Sequence, residues 1–286
     1  MDIKRLAIFF FSVIIVFFAF TVNIFVGIIA VIALFYVYGY LNRYATITKR
    51  AMDASSRGKQ REALQLMEEA YKLNPKHPAV LANYSYLLLK SNQVDKAEDM
   101  LETLKKQNKI DKLLPNITMT QSLIRWKQGK LDEAISILEE LQSKMQTTVL
   151  YGSLGYFYIE KGDLDRALDY NLQALDYNDS DAIILDNLLL TYILREEWDK
   201  ADEISEKLMA LSPKFPEAYY HDGLLKEHHG DLSGALSRYD TALNKSFSAV
   251  STESRSKIEQ HRDQLAKQLD TEDELTNPAS PPETNT

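Results

Sequence analysis

An all-α fold made of stacked helical pairs behind a membrane-inserted N-terminus is predicted by three observations. A pattern of small and apolar residues recurs about every 34 residues, glycine or asparagine stands at a fixed distance before most of its repeats, and the first 41 residues hold a long run without charge. The recurring pattern is clearest in TTVLYGSLGYFYIEKGDLDRALDYNLQALDYNDSD. Tyr151, Leu154, Gly155 and Tyr158 share one face of a first helix, and Gly162 with Asp163 breaks it. Ala167, Tyr170, Ala174 and Leu175 share the inner face of a second helix, which Asn178 and Asp179 close. Neither helix can bury its stripe alone.

Alignment on Ala167 finds Ala63, Ala97, Ala134, Ala201 and Ala235, at successive separations of 34, 37, 33, 34 and 34 residues. Five residues before each alanine stand Gly58, Asn92, Gly129, Gly162, Glu196 and Gly230, all suited to a turn except Glu196. Seven residues after them, every position is apolar: Ala70, Leu104, Leu141, Ala174, Leu208 and Ala242. Six units follow, at 44–77, 78–114, 115–147, 148–181, 182–215 and 216–249, the second lengthened by three residues before Pro115. Small residues such as Gly155 and Ala167 are expected where helix backbones approach closely.

The pattern from Tyr44 to about Ala249 resembles the tetratricopeptide repeat family, whose helix-turn-helix units of about 34 residues stack into a solenoid. The resemblance implies a right-handed superhelix. Its small first-helix position is matched by Ala51, Ser85, Ser122, Gly155 and Gly223, while Leu189 departs and is expected to loosen the fifth unit. The closing proline is matched only at Pro75 and Pro213. In the third unit Thr118, Gln121 and Arg125 replace expected apolar residues, so its first helix is expected to be the least well formed. A charged helix over 250–269 is read as the cap such arrays need, and the acidic, proline-bearing stretch 270–286 as a disordered tail.

Between Leu6 and Leu41 no residue is charged. A single straight helix of that length would extend about 54 Å, well beyond a hydrocarbon core of about 30 Å. Division near Thr21 to Asn23 gives two spans, 6–22 and 24–41, a tight hairpin behind a short N-terminal segment, 1–5. Lys4 and Arg5 precede the run, and Arg43, Lys49, Arg50, Arg57, Lys59 and Arg61 follow it, which places both termini and the repeats in the cytoplasm. A cleaved leader and a single tilted span with an exported solenoid are the competing readings. Tyr36, Tyr38, Tyr40 and Tyr44 suit the headgroup region, the bases of the first unit suit anionic lipid, and Gly39 is the expected weak point before the repeats.

Chemistry finds little footing. The chain has no cysteine, which removes disulfides, thiolate nucleophiles and cysteine-bound metals. A formal charge of −8 argues against nucleic acid as partner. His228 and His229 diverge on a helix, and His221 and His228 stand two turns apart, too far to share one ion directly. The Gly152 to Gly155 stretch lacks the lysine of a phosphate loop. Asp163, Asp165 and Asp231 sit where they stabilise the starts of second helices. No catalytic residue, cofactor or metal is therefore assigned, and an enzyme is not expected.

Binding is what the resemblance implies. In the family, first helices line a groove that holds an extended or helical segment. Matching positions here are Asn83, Tyr86 and Lys90 in the second unit, Trp126 and Lys127 in the third, and Tyr156 in the fourth. Asn187 and Leu190 follow in the fifth, and Tyr220, His221 and Leu224 in the sixth. The amides suit a peptide backbone and the rings suit apolar side chains. The clamp with which some members hold a terminal carboxylate is not present around Asn83 or Asn187. The nearly continuous apolar helix at Ile183, Leu190, Ile193 and Leu194 is expected to leave apolar surface in the groove. The expected function is a membrane-anchored scaffold that recruits a protein or peptide, or else a non-catalytic subunit of a membrane complex packed through its hairpin.

Overall fold

The computed structural model describes residues 3–107 and 113–276, all helices and connections with no strand among them. The chain divides into two compact units, Met1–Tyr84 and Ser85–Thr286.

The first unit opens with α1 (Ile3–Val22) and α2 (Ile24–Leu41), separated only by Asn23. Asn23 is extended, and its side chain accepts the Phe25 N–H at 2.8 Å, which ends one helix and caps the next. The helices pack together where the Phe20 ring lies on Gly27, so close that a Cβ there would stand 2.3 Å from the ring. From Phe10 onward most of their apolar side chains are exposed. Among the described residues, Ile24–Leu41 is the one helix long and apolar enough to cross a membrane, with Phe10–Val22 a shorter apolar stretch beside it. The break before the repeats falls at Asn42, not at Gly39. The Asn42 side chain donates to the Tyr38 carbonyl at 2.9 Å and so competes with continuation of the helix, whereas Gly39 lies within α2. The first repeat follows as α3 (Arg43–Ser56) and α4 (Gln60–Leu73), with Ala51, Ala63 and Met67 fully buried between them. The unit boundary lies within α5 (Pro78–Lys90).

The second unit continues with α6 (Val94–Lys105), α7 (Leu114–Lys127), α8 (Leu131–Gln142), α9 (Thr148–Lys161) and α10 (Leu164–Tyr177). It ends with α11 (Ala182–Leu194), α12 (Trp198–Ala210), α13 (Pro216–His228), α14 (Leu232–Leu243) and α15 (Arg255–Thr276). First helices α9, α11 and α13 pack side by side, and each also packs on its own second helix. The lengthened connection after α6 falls largely on residues outside those described.

Every aligned turn position is left-handed. Gly58, Gly129, Gly162 and Gly230 have φ between 76° and 78°, Asn92 has 61°, and Glu196 adopts the same conformation at 58° despite its side chain. After the turns, Asp163 and Asp231 accept backbone N–H groups from Arg166 and Gly234, capping α10 and α14.

Inside the pairs, small first-helix residues meet a position one turn beyond the register alanine. A Cβ on Gly155 would stand 2.0 Å from the Asn171 side chain, and one on Gly223 would stand 2.4 Å from Tyr239. Ala167 is therefore not the residue that Gly155 accommodates. In the same column stand Met67, Leu101, Leu138 and Ser205. In the fifth pair Leu189 is fully buried, and small Ser205 stands opposite it in register. Ser85 and Ser122 fill their places with hydroxyls that donate to the carbonyls of Ala97 and Ala134.

Helix α7 is regular over its whole length, contrary to the expectation from its polar residues. Arg125 pairs with Glu98 at 2.7 Å and Glu133 at 3.3 Å, and Thr118 donates back to the Leu114 carbonyl. Helix α15 begins at Arg255, later than 250, because residues 244–254 take another path. It also runs to Thr276, through the first seven residues of the stretch expected to be disordered. Residues 277–286 lie outside those described. Ile258 and Leu265 bury one face of α15 against Tyr239 and Ala242, so the cap covers the last pair.

Candidate partner-binding groove

The groove face of the second unit is built where successive first helices touch. Helix α9 starts at Thr147, whose side chain accepts the Leu150 N–H, and ends at left-handed Gly162. Its Tyr156 meets Trp126 of α7 edge-on at 5.7 Å and donates to Glu160 at 2.7 Å. Burial and the Glu160 carboxylate both raise the Tyr156 phenol, so it stays a hydroxyl. Lys127 is exposed and its ammonium stands 4.7 Å from the Trp126 ring.

Helix α11 contributes a buried polar line. Asn187 donates to the Gly152 carbonyl at 2.8 Å and to Asn171 at 3.3 Å, and Thr191 donates back to the Asn187 carbonyl. Asn187 therefore ties α9 to α11, and its amide is committed within the protein. One turn from Asn187, Leu190 is half-buried against the cluster around Tyr156. Ile183 and Leu194 are exposed.

Helix α13 brings the charges. His221 is 1% exposed, and its Nδ1 lies 2.7 Å from Asp186 of α11. Burial alone pushes this imidazole down, but the Asp186 and Glu253 carboxylates outweigh it and lift the group to about 10. Its Nε2 is buried without a hydrogen bond. Glu217, one turn before, is buried and raised by that burial, and it accepts the Thr252 N–H at 2.9 Å. Tyr220 is buried with its hydroxyl 3.2 Å from His261 of α15, its phenol pushed up to about 12 by burial and nearby carboxylates. Leu224 is half-buried beside it. At the other end of the unit Tyr86 and Lys90 are half-buried, Lys90 lowered and Tyr86 raised by burial.

Geometry thus gathers Trp126 with Tyr156, Asn187 with Gly152, and His221 with Asp186 and Glu217. Asn83 belongs to the first unit, where its amide donates to the Ala79 carbonyl one turn back. Four of the expected contact residues, Tyr156, Asn187, Tyr220 and His221, are buried by the protein itself. Neighbouring helices bury them, Asn187 against α9, Tyr156 against Trp126 and Tyr220 against His261, and the connection from α14 to α15 also crosses this face, reaching Lys90, Glu217 and His221. Asp186, Glu217, Asn171 and Thr191 are the functional-looking groups that groove matching missed. Their signal was present as charged and amide residues on otherwise apolar faces. His228 takes no part, stacking instead on Trp198.

Comparison with known proteins agrees with this architecture. Tetratricopeptide repeat models match residues 56–111 and 149–181, so those segments carry such repeats. A bovine (Bos taurus) protein, the BBSome complex member BBS4, is 24% identical over 182 residues, which is 64% of this chain. The chain spans 28% of that relative's length. A tetratricopeptide repeat protein from Parabacteroides merdae superposes with a TM-score of 0.59 at 15% identity, over 79% of this chain and 85% of its own. The APC/C hetero-tetramer Cut9-Hcn1 gives 0.60 at 15% identity, over 82% and 45%. PilW, a type IV pilus biogenesis factor, gives 0.52 at 15% identity, over 69% and 91%. At these identities the structures establish the fold alone, an all-helical repeat solenoid. Neither repeat model describes an enzyme.

Proposed function

We propose that the chain is a membrane-anchored scaffold whose repeats recruit a protein partner to the bilayer. The observation that carries this reading is the joining, in one chain, of interaction repeats to two apolar helices whose side chains are left largely exposed. An apolar surface of that extent suits lipid. Helix α2 has 18 residues, about 27 Å of rise, close to one hydrocarbon core. The packing of α1 on α2 supports a hairpin that crosses twice, and the basic residues on both flanks favour cytoplasmic repeats. Tyr86, Lys90, Trp126, Lys127 and Leu190 keep part of their surface available to a partner.

Carbonate washing of membranes from cells that make the full chain tests the anchor: it stays in the pellet, and release into the wash overturns the reading. Reporters placed after Val22 and at the C-terminus give opposite orientations for a hairpin and the same one for a single span. Crosslinking in intact cells then identifies the partner, and its yield falls when Trp126 and Leu190 are changed to Glu. A second reading, a non-catalytic subunit held in a membrane complex through α1 and α2, is favoured by the occupied groove. The bovine relative's membership of a complex fits it as well. It predicts co-purification through the hairpin after the repeats are deleted.

A further inference from the structure

The connection between α14 and α15 does not take the short route. It runs from Leu243 to Arg255 across the face of the first helices and meets them through its main chain. The Ala249 N–H donates at 3.0 Å to the carbonyl of Lys90, the last residue of α5. The Thr252 N–H donates at 2.9 Å to Glu217 of α13. Ser248 and Ser251 form a tight turn around Ala249 by exchanging two hydrogen bonds. Phe247 packs against the apolar cluster that α13, α14 and α15 share. This strap joins the beginning of the unit to its end, and it bonds as an extended peptide in a groove does, with main-chain donors and a few side chains.

One contact is poorly made. The Glu253 carboxylate stands 3.9 Å from His221 Nε2, beyond hydrogen-bonding distance, and that buried nitrogen has no other partner. Glu253 instead bonds Lys257 at 2.8 Å. A buried donor left unsatisfied, beside a second cation, is a place that a better-placed carboxylate would fill. The two groove carboxylates nearest it bond elsewhere, Asp186 at Nδ1 and Glu217 at the Thr252 N–H.

Building on the reading of this face as a partner groove, we infer that the strap is an internal ligand. It closes the groove in the free protein, and the partner enters with an extended acidic segment whose carboxylate replaces Glu253 beside His221 and Lys257. The strap suits that role because the described residues on either side of it are held in helices, whereas the strap itself is held by a few bonds. Segments secured by few contacts open before the globule does.

A fluorescein-labelled peptide with the sequence of residues 245–255 serves as probe, read by anisotropy against the full chain in detergent micelles. The chain carrying Ala249→Pro with Glu253→Gln, its strap released, binds the peptide at least about tenfold more tightly than the unaltered chain, the worth of one charge-assisted hydrogen bond. A free peptide, unlike the tethered strap, can bring its carboxylate within hydrogen-bonding distance of His221, so a peptide with Gln in place of Glu253 loses about tenfold on the released chain, and His221→Asn in that chain removes the difference. Equal binding to both chains, no binding to the released chain, or no preference for Glu over Gln overturns the inference. Hydrogen exchange on the unaltered chain supplies a test that needs no variant. The Ala249 and Thr252 amides exchange together and well before those of α13; exchange only with global unfolding makes the strap a fixed part of the cap and overturns the inference. Peptide binding with no partner recovered from cells removes the proposed role and keeps the internal ligand. A partner recovered by a chain whose strap never opens does the reverse.

Discussion

Two kinds of burial stand one layer apart in the second unit. Between the helices of a pair, Gly223 makes room for Tyr239, and small Ser205 stands in register opposite Leu189, so a small residue on one helix goes with a larger one on the other. On the neighbouring face, where α11 meets α13, the ionisable side chains of Asp186, Glu217 and His221 are buried together, and the strap reaches Glu217. Shape governs the first region, and a misfit there costs packing. Compensation of charge governs the second, and a misfit there leaves a buried ion. The difference explains why the groove face is the one that a ligand, internal or external, can change. Volume inside a pair is already filled, while the Nε2 of His221 still lacks a partner.

The comparison can be broken hardest on the shape side. Tyr239→Ala removes a fully buried ring that also donates to Glu227 at 2.7 Å, and glycine opposite it offers no side chain to fill the space. The expected loss is about 3–5 kcal/mol, read from the shift of the denaturant midpoint of the full chain. A loss below about 1 kcal/mol would show that the sixth pair is not packed as described. On the charge side, His221→Leu leaves Asp186 buried without its partner and is expected to cost about 3 kcal/mol.

The same histidine sharpens the contrast through pH. Its folded value, about 10, lies above the ordinary 6.5, so the folded state holds the proton more tightly than the unfolded one. The stabilisation is complete below about 6.5 and is lost as pH rises through about 10. Melting temperature therefore falls between those limits in the unaltered chain, and His221→Leu flattens that part of the profile. Tyr239→Ala lowers the whole profile and keeps its slope. A slope that survives His221→Leu would move the titration to another group.

How much of this was legible in the sequence differs between the two regions for a physical reason. Repeat spacing and turn positions were legible, because a left-handed turn restricts residue type and a stacked pair fixes its period. The column of Met67, Leu101, Leu138, Asn171, Ser205 and Tyr239 was also written there, but it has no constant residue type and makes sense only beside the first-helix column it complements. The groove residues were legible as residues and not as surface. Asn187 and His221 look alike in sequence whether they await a ligand or bond Gly152 and Asp186. The strap was not legible. Its decisive groups are the N–H donors of Ala249 and Thr252, which every residue but proline has, and its stretch has no helical period.

The smallest expected effect tests the turn rule itself. Glu196 holds φ at 58° where four of the other units place glycine and one places asparagine. A side chain in that region crowds its own backbone at a cost of about 1 kcal/mol, which glycine avoids. Glu196→Gly also gives the unfolded chain more freedom, so the net gain is expected to be a few tenths to about 1 kcal/mol. Neighbouring charges do not oppose the change, because Arg195 pairs with Asp165 and with Glu197 and leaves Glu196 outside both pairs. The measurement is the denaturant midpoint of the full chain with Gly129→Ala as its mirror. There a Cβ meets nothing within 4 Å, so the loss isolates backbone strain at φ 76°. Opposite shifts of similar size place the cost in the turn; a destabilised Glu196→Gly would show that the fifth unit holds its turn through the glutamate.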